Sequence, residues 1–155
     1  MKNNIGLDLE KSNNLVVQLN DLLANYQVFY QNLRGFHWNI KGKKFFELHL
    51  KFEELYNDAV IKVDEIAERV LTLGGTPNHT LEDYIAMSEI KSIKSDNIQT
   101  EAVSHVIDNF SVLIGKERKI LALSADAEDE GTNSLMSDYI TQTEKTVWML
   151  TSFMK

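Results

Sequence analysis

Residues 48–75 read LHLKFEELYNDAVIKVDEIAERVLTLGG, and the spacing of their apolar positions decides the fold class. Phe52, Leu55, Tyr56, Ala59, Val63, Ile66, Val70 and Leu73 recur at three- and four-residue steps, the pattern of one buried stripe on a helix. The stretch predicts a long helix closed by a glycine pair, with Gly74 as the residue past its end and Pro77 soon after. Two further pairs stand at four-residue spacing, His49 with Glu53 and Asp64 with Glu68. At about 100° per residue, Glu53 and Asp64 lie only about 20° apart around the axis, so both pairs share roughly one face. Carboxylates alone would read as a solvated face. An imidazole among them points instead to the donor set that holds iron, zinc or manganese.

The two pairs cannot serve one ion within a single chain. His49 and Asp64 are 15 residues apart, which is about 22 Å along a helix. They meet if a second copy of the helix packs antiparallel about a twofold axis passing near Tyr56, Asn57, Ala59 and Val60. Symmetry then makes two equivalent sites per dimer.

A second histidine lies just upstream, in GFHWNIKGKKFFELH, residues 35–49. His37 ends an earlier helical pattern, and the chain turns through Asn39 to Lys44 with Gly42 as the reversal point. Antiparallel helices joined near residue 43 put positions 37 and 49 level with each other. A lone histidine on an apolar helix is more often core than ligand. Two of them, level across a hairpin and facing a symmetry mate's carboxylates, favour a metal.

Moving outward, Ser12 or Asn13 is the expected N-cap of the first helix, and a polar segment of about residues 1–12 precedes it as a tail. Its stripe runs through Leu15, Leu19, Leu22, Leu23, Tyr26, Phe29, Tyr30, Leu33 and Phe36 to Trp38. After the glycine pair the periodicity breaks from Thr76 to Asp96. Thr80 with Asp83 forms a weak capping box for a short helix through Leu81 to Met87. Asp96 is the expected cap of a third long helix, with Ile98, Ala102, Val106, Phe110, Leu113, Glu117 and Leu121 as its stripe to about Ala125. Thr132 or Asn133 caps a fourth, carrying Leu135, Tyr139, Val147, Leu150 and Phe153. Nothing reads as strand, so the chain is all-α.

The 155 residues include one proline and no cysteine, and the formal charge is −7. Without cysteine there is no disulfide, thiolate metal site or redox thiol, which fits a cytoplasmic protein. The polar start, MKNNIGLDLEKSNN, has no apolar core, so no signal peptide is expected. No run approaches the roughly 18 apolar residues of a spanning helix. Net negative charge disfavours binding to a phosphate backbone and attracts cations.

The chain is also familiar. His37-Trp38, His49 twelve residues on, Phe52-Glu53-Glu54-Leu55-Tyr56 and Asp64-Glu65-Ile66-Ala67-Glu68-Arg69 closely resemble the Dps family, the DNA-binding proteins from starved cells. These are mini-ferritins of the ferritin-like superfamily. The resemblance covers nearly the whole chain as a single ferritin-like domain. It implies an up-down four-helix bundle with a short extra helix in the crossover between helices 2 and 3, assembled as a homododecamer of twofold dimers. It implies a ferroxidase site between subunits, with His37 and His49 from one chain and Asp64 and Glu68 from the other. Glu53 falls where the family carries a further acidic ligand, and Trp38 beside the iron.

The activity implied is oxidation of Fe(II) to Fe(III), with hydrogen peroxide as the preferred oxidant and ferric mineral stored in the hollow shell. Such chemistry removes both Fenton reactants and protects DNA and protein. Iron is the implied metal, although relatives are also purified with zinc or with an empty site. The acidic run Asp126, Glu128, Asp129, Glu130 reads by itself as a solvated turn. In a shell it would line the pores that admit Fe(II). Relatives often have an aspartate early in the last helix facing that pore, where this chain has Ser134, with Asp138 one turn later.

Three rival readings differ in what they require of the sequence. A ferritin with its di-iron site inside each bundle needs Glu-x-x-His motifs on facing helices. None occurs, since Glu101 and His105 are four apart, and that pair reads as an ordinary helix face. A DNA-compacting member of the family with weak ferroxidase activity would use lysine-rich tails. Here Lys2 and Lys11 are balanced by Asp8 and Glu10, and the far end offers only Lys155. A non-catalytic helical metal-binding or interaction protein is excluded by nothing in the periodicity, only by the ligand arrangement.

Overall fold

The computed structural model describes residues 1–94 and 96–155. Five helices follow in order: α1 (Leu9–Asn39), α2 (Phe45–Thr72), α3 (Leu81–Met87), α4 (Glu101–Asp126) and α5 (Glu130–Met154). Helices α1 and α2 form one antiparallel hairpin and α4 and α5 another. The hairpins join along α1 and α4, and α3 lies on α1 within the crossover. Among the described residues there is no strand, only isolated bridges.

The periodic stripes become the core, except that Trp38 and Phe153, at the far ends of the first and last stripes, are exposed. Leu19, Leu22, Leu33, Phe52, Ile66, Val70, Val106, Leu113 and Met136 are fully enclosed. Helix α2 ends as its glycines require. Gly74 takes a left-handed φ of 91°, and the amides of Gly75 and Gly74 reach back to the carbonyls of Val70 and Leu71 at 2.9 Å each. This double bond is the Schellman ending, which needs a residue without Cβ. Gly42, at φ 107°, reverses the chain between α1 and α2. The short helix starts where the capping box placed it, with Thr80 Oγ1 accepting from the Asp83 amide at 3.2 Å.

Three expected caps are displaced. Helix α1 begins at Leu9 rather than after Ser12 or Asn13, because Asp8 Oδ1 accepts from the Lys11 amide at 2.9 Å. The last four residues of the expected tail are therefore helical. The first eight fold back, with the Leu9 amide on the Met1 carbonyl at 3.0 Å and the Asn3 amide group on buried Ser12 Oγ at 3.2 Å. Helix α4 begins at Glu101 with Thr100, not Asp96, in the cap position. Ile98, expected inside that helix, is buried against the α1 end instead, bridging to Ile40 while its carbonyl accepts from the Lys41 amide at 3.0 Å. Helix α5 begins at Glu130 with Asp129 as its cap.

A polar network occupies the bundle interior. Glu117 is 0% exposed. Its Oε1 accepts from the Tyr26 hydroxyl at 2.6 Å, while Oε2 has no partner among the described residues. Nearby, buried Lys62 pairs with Asp58, donates to Gln142 at 3.0 Å and lies over the Tyr139 ring. Burial pushes the Glu117 carboxyl up to about 7. The folded chain thus holds this proton more tightly than the unfolded chain. The associated stability is complete below the unfolded value of 4.5 and is lost as the pH rises toward about 7. Glu117→Gln keeps an acceptor for Tyr26 and removes the buried charge. At pH 8 it is expected to be more stable than wild type by up to about 3 kcal/mol, with the gap closing by about pH 5. Urea unfolding at the two pH values measures this; parallel profiles would contradict it.

Candidate metal centre

His37 lies in the last turn of α1 and His49 in the second turn of α2, and the hairpin brings them face to face. Their rings stack with centroids 3.7 Å apart and an interplanar angle of 15°, and Phe45 stacks on the other side of His49 at 4.9 Å. Each ring is tied to the other residue's backbone. His37 Nδ1 donates to the His49 carbonyl at 2.6 Å, and His49 Nδ1 donates to the His37 carbonyl at 2.7 Å. A carbonyl oxygen has no proton to give, so each Nδ1 carries the hydrogen and the neutral ring keeps its lone pair on Nε2. This is the arrangement by which backbone carbonyls orient metal-binding histidines. Sequence spacing puts the histidines level with each other, but the reciprocal bonds depend on the rotation of both helices.

Glu53, one turn beyond His49, is half-buried, and its Oε1 accepts from the Tyr56 hydroxyl at 3.5 Å. Asp64 and Glu68 are exposed on the outer face of α2. That face also carries exposed Leu50, Val60, Ile61 and Leu71. Carboxylates interleaved with uncovered apolar side chains suit contact with another helix better than contact with water. Ala59, expected beside the twofold axis, is enclosed in its own bundle. Asn57, Asp58, Val60 and Ile61 are the exposed residues at that level. Among the described residues no three His, Asp or Glu side chains cluster to hold a metal ion.

The remaining candidates are dispersed. His105 is half-buried against Phe36, its ring stacked at 6.1 Å, and exposed Glu101 opens α4. Trp38 is 57% exposed and lies under the Arg34 guanidinium, 4.8 Å from its ring centroid. In the acidic turn, Asp126, Glu128 and Glu130 are exposed, and Lys11 pairs with Asp126 at 3.4 Å.

Asp129 departs from its expected place as an open pore carboxylate. It is 2% exposed, caps α5 through the Thr132 amide at 3.0 Å, and accepts from Arg69 Nη2 at 2.6 Å. Arg69 Nε also donates to Thr132 Oγ1 at 2.8 Å, fastening the end of α2 to the α4–α5 turn. Asp129 followed by Thr132 at N3 was a legible local cap. Its distant partner Arg69 was not.

Among the described residues, no helix is long and apolar enough to cross a membrane. A family profile for the ferritin-like domain matches residues 16–155. The DNA protection during starvation protein of Porphyromonas gingivalis is 40% identical over 148 residues, spanning 96% of this chain and 93% of that protein. The protein of the same name from Brevibacillus brevis is 39% identical, spanning 91% and 95%. A solved Dps protein from Vibrio cholerae O1, described as a member of a broad superfamily of ferritin-like diiron-carboxylate proteins, superposes with a TM-score of 0.96 at 50% identity. That match covers 99% of this chain and 97% of that one. With this bundle, this crossover helix and these relatives along nearly its whole length, the chain belongs to the Dps family of ferritin-like proteins.

Proposed function

We propose that this protein detoxifies and stores iron, oxidising Fe(II) at sites shared between twofold-related chains of a homododecamer. The observation that carries the reading is the reciprocal tie of His37 and His49, which leaves two Nε2 lone pairs together while Glu53 of their own chain is engaged by Tyr56. Asp64 lies about 22 Å and Glu68 about 28 Å from His49 along α2, so only a second chain can supply them. Neutral imidazoles stabilise Fe(II) and carboxylates favour Fe(III), so a mixed set permits turnover.

Two Fe(II) each give one electron to one hydrogen peroxide, which takes up two protons and leaves as two waters. Peroxide is the preferred oxidant in this reading, and the ferric product moves to the shell interior as mineral. Fe(II) enters past exposed Asp126, Glu128 and Glu130. Asp129 is already engaged by Arg69 and is left out of that path. The protein acts in the cytoplasm, and a zinc-loaded or empty site as purified is compatible with the same ligands. DNA compaction is less well supported: Lys11 is tied to Asp126, and the first eight residues are folded onto their own chain.

Anaerobic Fe(II) should give ferric absorbance on adding peroxide faster than in air, from particles sedimenting as twelve chains. Oxidation no faster than in protein-free buffer, or full activity from a stable monomer, would remove the reading.

A further inference from the structure

Glu53 stands one turn from His49 on α2, yet its carboxylate is not gathered with the imidazoles. It is engaged elsewhere, by the Tyr56 hydroxyl at 3.5 Å. Tyr56 itself has little freedom. Its ring is edge-on to His37 with centroids 5.4 Å apart and edge-on to Tyr30 at 6.0 Å. Arg34 lies over Tyr30, 5.3 Å from its centroid. The phenol is therefore wedged against two residues of α1 that stand seven apart. In the bond between them the phenol O–H donates and the Glu53 carboxylate oxygen accepts. A packed donor facing the Glu53 carboxylate, with His37 against the phenol ring and His49 one turn before Glu53, has the form of a catch.

We propose that Tyr56 is a positioning residue that latches Glu53 away from the imidazole pair. The shared site then takes one divalent ion tightly, and a second only when Glu53 leaves the phenol and turns back one helical turn toward His49. This rests on reading His37 and His49 as metal ligands. The bond is long, so the restraint is modest: releasing one such hydrogen bond is expected to be worth roughly five- to tenfold in affinity.

Tyr56→Phe removes the hydroxyl and keeps the ring that packs on His37 and Tyr30. Calorimetric titration of the assembled protein with Zn(II), which is not oxidised, reads binding without reference to catalysis. Wild type should show a tight and a weak step. In Tyr56→Phe the weak step should tighten roughly five- to tenfold relative to the tight one. In a Glu53→Gln background, adding Tyr56→Phe should change nothing further. The latch is overturned by an unchanged ratio of the two steps, by the same change in the Glu53→Gln background, or by a single step in both proteins. A tight step that persists in His37→Ala/His49→Ala would instead overturn the ligand reading beneath it.

Discussion

Two inactive variants, co-assembled, are expected to recover iron oxidation that neither has alone. One carries His37→Ala with His49→Ala, the other Asp64→Ala with Glu68→Ala. Losing a single outer partner of a metal ligand typically costs 10–100-fold, so losing two direct ligands should reduce each parent by at least about 100-fold. Helix geometry fixes what mixing does. With His49 and Asp64 about 22 Å apart on one rigid helix, each chain contributes to two sites, its histidines to one and its carboxylates to the other. In a mixed twofold dimer, one site then lacks all four side chains and the other is intact. Random pairing of equal amounts makes half of the dimers mixed, so about a quarter of the wild-type sites return. Stopped-flow ferric absorbance measures the recovery, and mass spectrometry confirms mixed particles. No recovery in confirmed mixtures would place the site within one chain.

The largest expected loss of stability lies away from the histidines. Asp129→Ala should destabilise the chain by about 3–5 kcal/mol, because it strands the Arg69 guanidinium beside a buried turn. It also removes the α5 cap, typically about 1 kcal/mol. Asp126→Ala, which breaks an exposed pair with Lys11, should cost no more than about 1 kcal/mol. Urea midpoints at a single protein concentration make the comparison, since assembly itself adds stability. Similar midpoints for the two variants would mean that the acidic run behaves as one solvated turn and that the Arg69 clamp is absent in solution. The same pair of variants separates carboxylates able to meet incoming iron from the one that holds the turn.

The helices themselves were legible because their signals are local. A stripe of period three to four, a glycine pair after Leu73 and a threonine three residues before Asp83 each act within a turn or two. They placed α2, α3 and the core faces of α1, α4 and α5. The level placement of His37 and His49 also followed from hairpin geometry alone, since a tight reversal at Gly42 leaves little choice of register.

The misplaced caps show where locality ends. Asp96 has the chemistry of a cap, but Ile98 is drawn into pairing with Ile40, 58 positions away, and the helix cannot begin until that segment has crossed the bundle end. Asp8 outcompetes Ser12 because Ser12 is needed inside, where Asn3 folds back to it. Asp129 looks like one acid among four until Arg69, 60 residues earlier, enters the same buried space. Periodicity and capping are set by neighbours in the chain, so the sequence by itself determined the helices, their buried stripes and the donor types at the site. The tautomers of the two histidines and the burial of Asp129 depend on groups from different helices meeting at about 3 Å, the distance scale of a hydrogen bond, and the engagement of Glu53 by Tyr56, three residues along the same helix, depends on how Tyr56 packs against α1. Only the packed structure decides those.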